Sequence, residues 1–337
     1  MADSHAEQLP VVLFHYPYSP YAKRVVWYLR LRGIPYFQCL QPPIMPRPDI
    51  AQLGIKYRRI PILSIGRDVY LDTRLIIQKL ELLYPGRPKL GAAAGTEHKA
   101  IERLLEAYAI DGGLFVRAAQ LLPTDLPLLR DPRFQKDRAD YFGAKVSREA
   151  AAALRPEAVN EVRNSMELLE TTLLADGRDW ILKTAQPSLA DIEAVWPLHW
   201  LNSLPGALPA DQVSAEQFPR VFAWISRFHK ATKEQPAPAI PPKAVSGEEA
   251  RRLILESPFH EPEMDVDCSD PAAQFHGLSR GRQVELWPTD SGTAHRDTGR
   301  LSGLGDKEVV VETDAGVRLH APRHGFRLRP ADQTASL

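Results

Sequence analysis

Cysteine is almost missing. The 337 residues hold two, Cys39 and Cys268. Two thiols cannot build a disulfide framework or a cysteine-rich zinc site, and a reducing, cytoplasmic location is the default expectation. Net charge is missing as well: 42 Lys plus Arg balance 42 Asp plus Glu. That balance argues against a non-specific nucleic-acid binder and against a polybasic membrane-surface protein. No apolar run reaches the ~18 residues a membrane span needs. No glycine-rich phosphate loop is present, so a nucleotide site has no support. The first ten residues carry His5 and Glu7 and no apolar stretch, so no signal peptide is expected there. No internal repeat is visible. Proline, by contrast, is abundant: thirty residues, nearly twice the usual ~5 %. Ordered turns and capped helix starts are expected from it. At 44 % hydrophobic and 25 % charged, the chain is an ordinary globular one, long enough for two or three domains at roughly 150 residues each.

The run Val11-Val12-Leu13-Phe14 reads as a buried strand. Ser19-Pro20 then predicts a helix start, with Ser as N-cap and Pro at the first helical position. That helix carries Val25, Val26 and Leu29 and stops at Gly33. Tyr36 to Leu40 reads as a second strand, closing a βαβ unit. Prolines 42, 43, 46 and 48 mark turns. Ile60 to Ile65 and Val69 to Leu71 read as a hairpin around Gly66-Arg67-Asp68. Asp72-Thr73 opens a helix with Leu75, Ile76, Leu80 and Leu83 on one face, ended by Pro85-Gly86-Arg87-Pro88.

From Glu97 to about Lys230 the periodicity is helical. Ile101, Leu104, Leu105 and Tyr108 form one stripe, and Val162, Met166, Leu169 and Leu173 another. Ser188-Leu189-Ala190-Asp191 has capping-box spacing, and Phe222, Ile225 and Phe228 mark a further helix. Gln235 to Lys243 holds four prolines and reads as a linker. A short helix, Gly247 to Leu255, follows. Gln283 to Trp287, Lys307 to Glu312 and Val317 to His320 then read as strands, the last two joined by a turn at Asp314-Ala315-Gly316.

Three short motifs carry chemistry. Ser19-Pro20-Tyr21-Ala22-Lys23-Arg24 puts a hydroxyl at a helix N-terminus, where unpaired N–H groups and the helix dipole favour an anion. The plain alternative is a helix cap. Arg58-Arg59-Ile60-Pro61 offers an X–Pro bond beside cations, and Asp72-Thr73 offers an acid beside a second helix start. In this order the motifs resemble those of cytosolic glutathione S-transferases of the serine type. The resemblance spans roughly residues 10–235. It extends to fungal transferase-like proteins with a β-rich C-terminal extension through Gly177-Arg178-Asp179-Trp180 and His320-Ala321-Pro322-Arg323, and it assigns that extension no role. Glutaredoxins have cysteines where Ser19 and Ala22 stand, so a dithiol cycle at this site is excluded.

The resemblance implies an α/β thioredoxin-like domain over 1–88, an all-α domain over 96–235, and a linker with a β-rich extension over 236–337. It implies glutathione as co-substrate, a small electrophile as second substrate, and a homodimer. Ser19 would donate to the glutathione sulfur, with Tyr18 and then Tyr16 as rival donors. The backbone of Ile60, ahead of a cis Pro61, would pair with the cysteinyl part. Arg59, Lys56 or Arg58 would meet the glycine carboxylate. Thr73 would hold the γ-glutamyl carboxylate and Asp72 its amino group. The second-substrate pocket would draw on Tyr108, Asp111, Phe115 and Arg117, with Trp196, His199 and Trp200 as further candidates; core packing is the alternative for these aromatics. His320 and His324 stand four apart, but Pro322 and Gly325 exclude a helix there, so no metal is expected. Conjugation is the default reaction. Glutathione-dependent isomerisation or elimination, and a non-catalytic binding module, are the alternatives.

Overall fold

A computed structural model describes residues 9–332 except 86, 144–146 and 235–240. The reading of the extreme N-terminus and most of the proline linker therefore fall outside the described residues. The chain opens with β1 (Val11–His15), α1 (Pro20–Leu31), β2 (Phe37–Leu40), α2 (Pro48–Ala51), β3 (Ile62–Ile65), β4 (Asp68–Tyr70) and α3 (Thr73–Leu82). This is the thioredoxin-like order. β3 starts at Ile62 rather than Ile60, as Pro61 has no N–H to give a ladder; the Ile60–Pro61 bond ahead of the strand is cis.

Every residue of β1 is buried. Successive side chains of a strand point to opposite faces, so burial throughout requires cover on both. Val11 and Leu13 face α1, α3 and the helical domain. Val12 and Phe14 face a second core built largely from the C-terminal extension.

The helical region comprises α4 (Glu97–Ile110), α5 (Leu114–Gln120), α6 (Pro127–Arg130), α7 (Pro132–Phe142), α8 (Arg148–Ala153), α9 (Arg155–Leu168), α10 (Leu189–Asn202) and α11 (Pro219–Glu234). Twelve of the fourteen α10 residues are buried, as befits a helix packed on all sides. Its start is fixed by Asp191. One carboxylate oxygen accepts from Ser188 N (2.9 Å) and Oγ (2.7 Å); the other accepts from Ile181 N and Trp224 Nε1, both at 2.9 Å.

The tail holds β5 (Lys243–Ala244), α12 (Gly247–Leu255), α13 (Pro271–His276), β6 (Gln283–Pro288), β7 (Asp297–Leu304), β8 (Glu308–Glu312), β9 (Arg318–Pro322) and β10 (Phe326–Pro330). Sequence patterning locates β6, β8 and β9 but not β5, β7 or β10. The tail strands join the N-terminal ones in a single sheet ordered β10-β6-β7-β8-β9-β4-β3-β1-β2-β5. β9 runs parallel to β4 with Val69 opposite Leu319, and β5 runs parallel to β2. The extension thus pairs with both outer strands of the thioredoxin-like sheet, while Ala250 and Ile254 of α12 pack into the second core.

Candidate thiol site

Sheet register brings the three motifs to one end. β1 and β3 are antiparallel with Phe14 opposite Ile62, and β3 and β4 are antiparallel with Leu63 opposite Tyr70. The C-terminal end of β1, the start of β3 and the end of β4 therefore lie side by side. Ser19 follows the first, Ile60–Pro61 precedes the second, and Asp72-Thr73 follows the third.

Ser19 is the N-cap of α1, and its buried Oγ accepts from Ala22 N at 3.2 Å. That bond uses a lone pair. Among the described residues the hydroxyl proton has no acceptor, so Ser19 retains one donor. Tyr18 is half exposed, its ring 4.8 Å from that of the half-buried Tyr16. Burial, and then Tyr16, push the Tyr18 phenol above its usual pKa, so it stays a neutral donor.

Asp72 sits at φ 64° and accepts from Arg74 N at 2.9 Å. A positive φ is uncommon outside glycine, and at ψ 133° Asp72 also lies outside the left-handed helical well. The Thr73 hydroxyl accepts from Arg24, whose other arm pairs with Glu193 of α10. Arg24 and Glu193 are both buried. Burial raises the Glu193 pKa and Arg24 opposes that rise. Arg24 thereby links α1, the start of α3 and the helical domain, a part that local sequence does not announce.

The cations offered to the glycine carboxylate have protein partners. Arg58 is buried, pairs with Asp137 (2.8 Å) and Asp140 of α7, and lies 5.1 Å from the Tyr141 ring. Arg59 pairs with Asp290 and donates to Ser291 O (2.7 Å) and Oγ (3.1 Å). Both guanidiniums thus already have carboxylate partners, Arg58 in the helical domain and Arg59 in the extension. Lys56 is exposed at its side chain, while its backbone N donates to Asp297 (2.6 Å).

The candidate pocket residues divide. Trp196 is fully buried and stacks on Phe115 at 5.0 Å, with Tyr21 at 4.7 Å from each. Phe115 also stacks on Trp200 at 5.6 Å. His199 is buried against Trp27 (4.9 Å), with Nε2 3.0 Å from His229 Nδ1. Burial, with Lys23 and His229 adding, pushes its imidazole down to about 4, so it is neutral at physiological pH. Trp196 and His199 are core residues by position, because all-round burial of α10 leaves them no open face. Tyr108 bonds Ser165 Oγ at 2.7 Å. Asp111 pairs with Arg74 (2.6 Å) and His324 (3.2 Å). Arg117 donates to Gln120 at 3.2 Å.

A second polar cluster joins the extension to the N-terminal domain. His320 on β9 lies between Asp68 (Nε2, 2.9 Å) and Glu308 (Nδ1, 2.6 Å). Arg318 pairs with Asp68 at 2.8 Å. Glu261, Glu308 and His320 place possible metal-ligand atoms within 4.8 Å of one another. Lys79 Nζ already sits 2.7 Å from both carboxylates, so an ammonium occupies the cation position. A cavity of about 210 Å³ opens beside the cluster, lined by Phe259, Met264, Arg280 and Arg318 among others.

Comparison with known proteins agrees with this architecture. Residues 13–88 match the glutathione S-transferase N-terminal domain, and residues 117–237 match a domain of unknown function, DUF7962. A glutathione transferase of Zea mays is 22 % identical over 220 residues, covering 62 % of this chain and 81 % of its own. A GST-like protein from Pseudomonas syringae superposes with TM-score 0.70 at 24 % identity, covering 95 % of this chain and 99 % of its own. A Tau class glutathione S-transferase from mango, Mangifera indica, gives TM-score 0.51 at 18 % identity over 72 % of this chain and 98 % of its own. The fold is the one glutathione S-transferases share, a thioredoxin-like domain followed by a helical region, with a strand-rich extension added. The Pseudomonas likeness runs through the extension as well. No helix among the described residues is long and apolar enough to cross a membrane.

Proposed function

We propose that this protein binds glutathione at the N-terminus of α1 and activates its thiol for attack on a small electrophile. The observation that carries the reading is Ser19: a hydroxyl at a helix tip, with one proton uncommitted among the described residues and two partner motifs beside it in register. The thiolate is the nucleophile, and a free thiol titrates near 8.5. A donor and a helix dipole aimed at the sulfur favour the anion and increase its population at neutral pH. The sulfur proton leaves to solvent, the S–C bond forms, and either a leaving group departs or the adduct carbon takes up a proton. Asp72 would meet the γ-glutamyl ammonium. Thr73, its oxygen already accepting from Arg24, keeps its proton to donate to the neighbouring carboxylate.

Two measurements test the reading. Retention on immobilised glutathione is expected for the wild type and lost in Asp72→Ala. Turnover of a chloronitroarene is expected to fall about 10²-fold in Ser19→Ala. An undiminished rate would move the role to Tyr18 or Tyr16. A second reading is a binding module without turnover, favoured by the commitment of both Arg58 and Arg59 to protein carboxylates. Retention on the resin with no turnover of any electrophile would select it.

A further inference from the structure

We propose that the C-terminal extension is a working part of the thiol site: its β6–β7 loop clamps the segment 56–60 that leads into Pro61, and Asp297 is the residue that positions it. The proposal rests on the glutathione-site reading above and adds the element that would hold the ligand-pairing backbone in place.

The segment from α2 to β3 has no regular structure of its own. Its backbone groups must find partners elsewhere, and several lie on the extension. Asp297 Oδ1 accepts from Lys56 N (2.6 Å) and Tyr57 N (3.1 Å). Thr313 Oγ1 donates to Leu53 O at 3.0 Å. The Tyr57 ring stacks on Phe326 at 5.9 Å. Arg59 is held by Asp290 and Ser291. The loop is itself tied to α7, because Gly292 N donates to Tyr141 O at 2.8 Å and His295 lies 2.8 Å from Asp140. Gly292 has φ 68° and rests on Arg58, where an added Cβ would lie 3.0 Å from Cγ. Helix α7, the 56–60 segment and the extension loop are thus joined by direct contacts, and the segment ends at the bond the glutathione reading requires.

Asp297 is an expensive choice for a purely structural pin. It is buried, and among the described residues its Oδ2 has no partner. An unpartnered buried carboxylate oxygen carries a desolvation cost. Asn would supply the same acceptor without the charge. Burial pushes the Asp297 carboxyl up to about 7, against the pull of the two N–H bonds and Lys56. The charged and titratable groups around the clamp are Lys56, Tyr57, Arg58 and Arg59 on the pinned segment, Asp137, Asp140 and Tyr141 on α7, and Asp290, His295 and Arg296 on the loop.

The experiment is the affinity of the full chain for S-methylglutathione between pH 6 and pH 8, read by calorimetry. The blocked sulfur cannot ionise. Ligand that orders the segment strengthens the two N–H bonds to Asp297, favours its ionised form, and so binds more tightly as pH rises. Wild type is expected to gain about threefold over this range, Asp297→Asn to show no gain, and Asp297→Ala to bind about tenfold more weakly. His295→Gln is expected to keep the gain, which separates Asp297 from the imidazole beside it. Wild-type affinity that Asp297→Ala leaves unchanged, or a pH gain that persists in Asp297→Asn, overturns the clamp alone. A wild type that takes up no S-methylglutathione overturns the site reading and the clamp with it. Should Asp297→Ala fail to fold, the Asn variant decides.

Discussion

Arg24 shows what a single residue is asked to do here. Its guanidinium reaches Thr73 and Glu193 from a fully buried position and lies 5.5 Å from the Trp196 ring. Breaking such a pair from one side leaves an uncompensated charge in the interior, a loss of about 3–5 kcal/mol. Glu193→Ala is therefore expected to lower the urea midpoint strongly, and Arg24→Met with Glu193→Leu to recover most of it. An unshifted midpoint in Glu193→Ala would mean that water reaches the pair. Ser19, Pro61 and Asp72 were legible in the sequence because a cap and a turn are encoded within a few residues of themselves. Arg24–Glu193 was not, since 169 positions separate the partners. The pocket candidates show the opposite difficulty. Trp196 and His199 stand on a helix buried on almost every side, so periodicity could not say which face was open.

At the scale of elements, the junction between β4 and β9 carries a buried cluster of charge. With Asp68, Glu261 and Glu308 against Lys79, Arg318 and His320, the cluster balances when His320 is protonated. Its two ring nitrogens each face a carboxylate, which only the doubly protonated ring satisfies with two donated bonds. Burial opposes that charge, but the bonds to Asp68 and Glu308 outweigh it, and the His320 pKa lies above its usual value. Asp68 and Glu308 lie below theirs, burial being outweighed in each by the His320 bond and further partners. A raised histidine contributes stability that is complete below the unfolded value of 6.5 and is lost as pH rises through the folded one. Depressed carboxylates contribute stability present above 3.8 and 4.5 and lost as pH falls through the folded values. All three act together between 4.5 and 6.5. The stability advantage of wild type over His320→Gln should therefore shrink as pH rises from 6 to 9, read by thermal melts at each pH. A constant difference would place the second proton elsewhere. Sequence patterning locates β8 and β9 through their hydrophobic runs. It misses β7, whose glycines at 299 and 303 and a bulge after Leu301 interrupt the alternation. Gly299 has no room for a side chain: a Cβ would meet Glu312 O at 2.2 Å.

At the scale of the molecule, the extension decides where the sheet ends. A tail that reads in sequence as a module after a linker is, in the fold, six of the ten strands of the sheet and about half of its second core. Pairing between β4 and β9 joins residues 250 positions apart, and no local pattern could have announced it. Without the tail, β4 would present open backbone groups along its edge. Val12, Phe14, Ile62, Val69 and Leu71 would lose the partners that cover them. An apolar face of that kind drives association. A chain ending at residue 242 is accordingly expected to aggregate or to elute far above its monomer mass, whereas the full chain elutes as a defined species. A truncated chain that stays monodisperse, with the ellipticity of a folded α/β domain, would show that the thioredoxin-like sheet closes its own edge. The extension would then be an addition to the fold rather than a part of it, and the segment at 56–60 would have to be held by something other than Asp297.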